Sequence, residues 1–342
     1  MIKYGAMNGS SAKFRNSCTK RGGWNRALSK PTLFYWQRFA SSLVLLLALF
    51  STAALAEETK TAKPTGDGTE HGSLGELGAK LSDPTSDLWA LFTEFDFLWS
   101  RGDLSDDDYK FGSAMIFQPI MPFKFTENLK LLTRPVVPVI FSTPVPTGLN
   151  PDGTARFSDK SGLGDISLPL LLSPVPKPGA AFSFGFGPTF QFPTHTSSAL
   201  GTKTWEAGPA AVVTYKTDKV VTGVFGQYWW SYSEYGSNSA GEDTPSTSHG
   251  VILPFFFYNL PDAWQIGFLP NITYNDKATS GNKWNVPLGP VVTKMVKMGN
   301  LPVKFQLGVE YSVERQDDFG PEWRIKLNII PVITSLQKKP FF

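Results

Sequence analysis

The sequence predicts an all-β protein: a single transmembrane, antiparallel, up-and-down β-barrel of about twelve strands in the outer membrane. Three observations predict it. A secretory leader opens the chain, and apolar and polar residues then alternate with period two from Leu88 to Ile333. The links between the alternating stretches are short and long in turn.

The leader is read from charge and length. Residues 1–56 carry eight basic side chains and no acidic one, then the apolar run Leu43–Leu49 (LVLLLAL), then Ala54-Leu55-Ala56. A basic segment, a short apolar run and a small-x-small site form a signal peptide, here 1–56 with a long basic region, cut after Ala56. A membrane-spanning helix needs about 20 apolar residues, more than this run or any later one supplies.

Composition narrows the remainder. With 41% hydrophobic and 14% aromatic residues the chain is too apolar for disorder. Removing the leader leaves 24 basic against 29 acidic residues, so the whole-chain charge of +3 becomes −5. That sign argues against a nucleic-acid partner. The only cysteine, Cys18, leaves with the leader, which excludes disulfides and Cys-ligated metals from the exported chain.

Residues 57–84 are polar and rich in Gly, Thr and Lys, and read as a flexible periplasmic lead-in, with one or two helical turns at Ser73–Leu81. The barrel follows over 85–333. Its strands are expected at 88–99, 109–124, 129–142, 164–174, 180–193, 203–215, 219–234, 248–259, 263–274, 283–297, 302–315 and 321–333, and 334–342 forms a C-terminal tail. Links after even strands are short, as at Lys216–Asp218 and Leu260–Asp262. Links after odd strands are longer and more polar, as at Thr143–Leu163 and Tyr235–Thr247. A soluble sandwich has no reason to gather its long loops at one end.

The eleventh strand shows the pattern most clearly. Val303, Phe305, Leu307, Val309, Tyr311 and Val313 fall on one face, and Lys304, Gln306, Gly308, Glu310, Ser312 and Glu314 on the other. The twelfth sets Trp323, Ile325, Leu327 and Ile329 against Arg324, Lys326 and Asn328. In a membrane barrel the apolar set faces lipid and the polar set lines the lumen. Aromatics near strand ends (Trp89, Trp99, Tyr215, Trp264, Tyr274, Trp284, Tyr311, Trp323) suit two interfacial girdles. Prolines oppose this reading. Pro119, Pro122, Pro135, Pro138, Pro169, Pro188, Pro209, Pro254, Pro270, Pro287, Pro290 and Pro331 fall inside the expected strands, and each removes a ladder donor.

The segments Gly162-Leu-Gly-Asp165, Gly187-Pro-Thr189 with Phe192-Pro-Thr194, Leu200-Gly201 with Trp205 and Gly208-Pro-Ala210, Tyr258-Asn-Leu-Pro-Asp262 with Trp264, and Lys283-Trp284 with Gly289 recur in a fixed order, followed by Pro302-Val303, Leu307-Gly308 and Tyr311 with Glu314. This ordered set, from Leu81 to Ile333, resembles the bacterial outer-membrane family linked to the meta-cleavage pathway of phenol degradation. Its members are often labelled transporter or, misleadingly, neuromedin U. The resemblance implies a β-barrel of uncertain substrate and no catalytic residues. The eighth strand departs from the family, since Leu253-Pro-Phe-Phe-Phe257 is less polar than the family pattern.

No catalytic or metal-binding constellation emerges, and no cofactor is implied. His71, His195 and His249 match no metal-ligand spacing. Ser248 and His249 are neighbours on a strand edge, so they point to opposite faces and read as solvated rather than as a nucleophile and base. The functional candidates are the charged residues whose parity places them in the lumen: Glu94, Asp96, Lys130, Arg134, Asp165, Glu206, Lys304, Glu310, Glu314, Arg324 and Lys326. They fit both an internal salt-bridge network that stiffens the barrel and a selective solute pathway. Lumen-side glycines (Gly185, Gly187, Gly208, Gly267, Gly289, Gly308) would leave space for solute. The expectation is a passive channel for small solutes, with aromatic and organic-acid molecules as candidates. Its partners are outer-membrane lipids and the barrel-assembly machinery. A barrel enzyme acting on lipid or peptide, and a structural barrel without flux, are the alternatives.

Overall fold

The computed structural model describes residues 73–151, 154–177, 179–234, 246–333 and, past the last strand, 335, 337 and 339–341. The expected signal peptide, its cleavage residues Ala54 and Ala56, and His71 lie outside these residues. So do most of the Tyr235–Thr247 link and Phe342.

Twelve antiparallel strands close on themselves. They are β1 (Trp89–Arg101), β2 (Lys110–Lys124), β3 (Leu129–Thr133 continued by Val137–Leu149), β4 (Ala155–Leu163 continued by Ile166–Pro174), β5 (Phe182–Phe192) and β6 (Thr204–Lys216). Then come β7 (Val220–Glu234), β8 (Ser248–Asn259), β9 (Trp264–Phe268 continued by Ile272–Asn275), β10 (Trp284–Leu288 continued by Val291–Met298), β11 (Leu301–Glu314) and β12 (Gly320–Ile333). Each strand pairs with its sequence neighbours, and β1 pairs with both β2 and β12, which leaves no edge. Both ends of the barrel chain, Trp89 and Ile333, lie at the end with the short turns. In outer-membrane barrels that is the periplasmic end.

Prolines explain most of the interruptions. Pro135, Pro270 and Pro290 occupy the breaks in β3, β9 and β10, and Pro287 sits at a register shift between β10 and β11. The other eight stay inside paired segments, where the ladder runs on without their donors.

The expected long loop Thr143–Leu163 is corrected. Most of it is a β-hairpin that extends β3 and β4 past the barrel body, with Thr143 opposite Lys160 and Leu149 opposite Ala155. Pro144 and Pro146 on one arm and the polar run Ala155–Leu163 on the other hide any apolar alternation. Phe157 of this hairpin packs on Phe319 of the β11–β12 loop with ring centroids 4.8 Å apart. Lys110, on the lumen side of β2, approaches the same ring.

Burial is inverted relative to a soluble sandwich. On β5, Phe182 and Phe186 are 68% and 62% exposed while Ser183 and Gln191 are buried. On β11, Lys304, Gln306, Glu310 and Ser312 are buried while Val309, Tyr311 and Val313 are exposed. An apolar band turned outward is stable only against lipid. Cross-strand aromatic pairs rim it: Trp99–Phe111, Tyr274–Trp284 and Tyr311–Trp323 at the loop end, and Phe182–Tyr215 at the turn end. Trp89 does not join the girdle. It is buried against Phe123, and Phe341 of the tail stacks on the other side of that ring system.

The lumen-side glycines do not open space. A Cβ on Gly267 would lie 1.8 Å from the Phe256 carbonyl oxygen, and one on Gly289 would lie 1.8 Å from that of Val309. Gly187 and Gly208 meet neighbouring carbonyls in the same way. These glycines let adjacent strands bend into close approach, which a small barrel needs to curl.

One helix precedes the barrel. Ser73 caps α1 (Leu74–Leu81) by accepting from the Glu76 N–H, and Glu76 in the first turn with Lys80 in the last suits the helix dipole. Leu77 packs with Met295 and Val332. Residues 73–84 are therefore not a free lead-in. The helix lies in the turn-end mouth, and Ser82–Leu88 continues through the lumen to β1.

Candidate functional site in the lumen

Four layers fill the lumen, from the turn end to the loop end. The first is the N-terminal segment. Ser82 donates to Gln265, and the Lys304 ammonium donates to the Gly78 carbonyl (3.1 Å) and to Ser82 Oγ (2.5 Å). A cation at the Gly78 carbonyl complements the helix C-terminus. Across the lumen, Thr85 Oγ1 meets Ser183 Oγ, Lys216 pairs with Asp83, and Lys130 Nζ donates to the Thr85 carbonyl and to Asp87. Lys130 and Lys304, both placed in the lumen by parity, hold this plug, and each is 1% exposed.

Directly above Leu81–Pro84 lies a cavity of about 90 Å³, where one water needs roughly 10–15 Å³. Its wall is mostly apolar: Phe92, Leu132, Leu171, Phe225, Phe255 and Phe257 face it, with Arg134 and Lys304 as its cations and Asp83, Thr133 and Gln306 among its polar residues. Arg134 sits at the proline break in β3 and lies 4.2 Å above the Phe92 ring. Phe255 and Phe257 settle the composition of the eighth strand. Both are buried on the lumen face, while Pro254 and Phe256 take the outer one.

The third layer carries the charges that sequence parity brings together. Asp96 on β1 lies opposite Lys326 on β12, Glu94 opposite Asn328, and Glu310 on β11 opposite Arg324. The Lys326 ammonium contacts Glu310 and also donates to the Leu269 carbonyl at the break in β9 (2.6 Å), and Arg324 lies 3.8 Å from Glu310. Glu314 does not belong to this group, because it is exposed at the loop-end rim.

The fourth layer holds Glu206 and Asp165, each engaged by neighbouring side chains. Glu206 is fully buried, contacts His249 Nε2 at 2.5 Å and accepts from the hydroxyls of Thr202, Thr204 and Thr247. His249 is corrected from a solvated residue to a buried one, stacked on Trp229. Ser248 points the other way, to Tyr228. Asp165, at the break in β4, pairs with His195 and accepts from the Thr202 N–H, which fixes the loop before β6.

Sequence reasoning missed a rim cluster. Arg101 and Tyr109 both bond Glu322, and Arg101 also lies over the Tyr109 ring. Burial pushes the Tyr109 hydroxyl up to about 12, and its hydrogen bond to Glu322 pushes the same way. It also missed Asp83, Thr85 and Asp87. The S-x-x-E capping signature at Ser73–Glu76 was the one local signal for that segment.

No protein-family model matches the chain, and no curated protein does either. Solved structures do. An outer-membrane channel from Pseudomonas putida F1 superposes with a TM-score of 0.52 at 15% identity, over 78% of this chain and 100% of the other. The NanC porin gives 0.41 at 8% identity, over 71% and 99%. The CymD monoaromatic hydrocarbon channel gives 0.34 at 10% identity, over 79% and 94%. The chain is a closed, twelve-stranded, antiparallel barrel with the fold of an outer-membrane channel.

Proposed function

We propose that this protein is a passive outer-membrane channel for small, largely apolar solutes, aromatic ones among them. One observation carries the reading. The lumen of such a barrel is ordinarily polar, yet the layer above the plug here is a cavity walled mostly by phenylalanines and leucines. Water gains little from such a wall, whereas an apolar solute does. The resemblance to the phenol-degradation family supports aromatic solutes. The mature chain is read as starting at Glu57 and reaching the outer membrane through the barrel-assembly machinery, with lipid on its outer face. A non-enzymatic role is supported by Ser248, which turns away from His249 to bond Tyr228 and so does not form a nucleophile–base pair with it.

The plug favours a second reading, a structural barrel without flux, because three lysines hold the N-terminal segment in the mouth. Solute-loaded proteoliposomes separate the two. Efflux of a small aromatic faster than that of a sugar of similar size supports the channel. Absence of efflux from both the intact chain and a variant lacking 73–87 leaves the structural barrel.

A further inference from the structure

The geometry points to an amphiphilic monocarboxylate as the solute class of this cavity, with Arg134 as the receptor for its carboxylate. The inference rests on reading the lumen as a solute path. Among the described residues the cations nearest this cavity have polar protein partners: Lys130 has Asp87, Lys304 has Gly78 and Ser82, Lys216 has Asp83, Lys326 has Glu310, and Arg324 lies beside Glu310. Arg134 makes no hydrogen bond or ion pair among the described residues, and its buried Nε lacks an acceptor. A guanidinium cannot shed its proton to escape burial. It has five in-plane donors, and with one face on the Phe92 ring those donors radiate from its edge.

An orphan guanidinium inside an apolar cavity calls for an anion, and its fork matches a carboxylate with two parallel bonds. The cavity selects among anions. Leu132, Leu171, Phe225, Phe255 and Phe257 suit the ring or chain of an aromatic or fatty acid. Ser82, Thr133 and Gln306 add polar atoms to the same wall, and Asp83 there disfavours a multiply charged phosphate or sulfate. Glu94, on the lumen face of β1 with Phe92, acts on Arg134 through its charge but makes no hydrogen bond or ion pair with it among the described residues. It disfavours a second negative charge, which fits a monoanion.

Benzoate and benzyl alcohol are probes of nearly equal shape and different charge. Calorimetric binding to the full chain in lipid nanodiscs would compare wild type, Arg134→Gln, Arg134→Lys and, as a charge control, Lys160→Gln on the exposed hairpin. Arg134→Gln should weaken benzoate on the order of tenfold or more, leaving benzyl alcohol within about twofold. Arg134→Lys should fall between, and Lys160→Gln should match wild type. If Arg134→Gln does not fold, as judged by heat-modifiable migration, Arg134→Lys alone decides: loss confined to benzoate supports the assignment. Unchanged benzoate binding, or a parallel loss of both probes, overturns it while the channel reading stands. If neither probe binds wild type and none passes in the efflux assay, both readings fall.

Discussion

The Lys304 ammonium, on the wall strand β11, donates to the Gly78 carbonyl near the C-terminus of the helix that fills the turn-end mouth. Two residues 226 positions apart thus lock the N-terminal segment into the barrel. Lys304→Met should loosen that lock, since a hydrogen bond from a charged group contributes about 1.5–3 kcal/mol. Planar-bilayer recordings should then show open conductance rising by about tenfold to a hundredfold, the size of that shift in the plug equilibrium, up to the ceiling set by the fully unplugged state. Wild-type conductance in this variant would show that the plug is held by its apolar contacts alone.

Arg324 is the outermost cation of the mid-lumen layer, and it lies farther from Glu310 than Lys326 does. Arg324→Ala removes one positive charge but leaves Glu310 paired with Lys326, so the buried carboxylate keeps its partner. The expected outcome is a reversal potential displaced toward cation preference in a salt gradient, with a smaller effect on the urea midpoint than removal of Lys326 would have. A large fall in the midpoint with an unmoved reversal potential would make the layer structural.

Gly267→Ala and Gly289→Ala should each impair assembly. The new methyl would overlap a backbone carbonyl that cannot swing away, and overpacking of this kind costs about 1–3 kcal/mol or more. Gly299→Ala, whose Cβ would meet nothing within 4 Å, is the comparison, although its φ of 63° carries its own strain. Folded and unfolded bands on semi-native gels measure the difference. Equal yields for all three would show that the wall has slack.

The Tyr109–Glu322 contact should respond to alkali. Tyr109 has its folded pKa raised, to about 12, from an ordinary value of 10.0. Its stabilising contribution is therefore fully present below the unfolded value and is lost as pH climbs through the folded one. Loop 102–109 should stay anchored up to about pH 10 and loosen between there and about 12. Amide exchange of that loop, compared with Tyr109→Phe, checks it. Loosening below pH 9 in the wild type would count against the bond as its anchor.

What the sequence made legible was the wall. Strict alternation in β11 and β12 sets parity, and parity places Asp96, Glu310, Arg324 and Lys326 in one layer because a one-residue slip would drive those charges into lipid. Contacts made across the lumen left no such trace. The Lys304–Gly78 and Lys130–Asp87 bonds join residues far apart in sequence, so no local period records them. Asp165 misled for another reason. It shares the parity of lumen residues, but the strand breaks there, and its bonds go to the His195 ring and the Thr202 backbone. Phe255 and Phe257 were visible as an anomaly, an apolar run on a face expected to be polar, and the cavity is what they form.

That run has a consequence outside the finished barrel. Because β8 is apolar toward both lipid and cavity, the stretch Leu253–Phe257 has no water-compatible side while the chain is unfolded in aqueous solution. Such a stretch invites strand-to-strand stacking with other copies. Pro254, which deprives the ladder of a donor, also interrupts that stacking at its second position. The residue that weakens the wall is thus the one that keeps the chain separate before a wall exists.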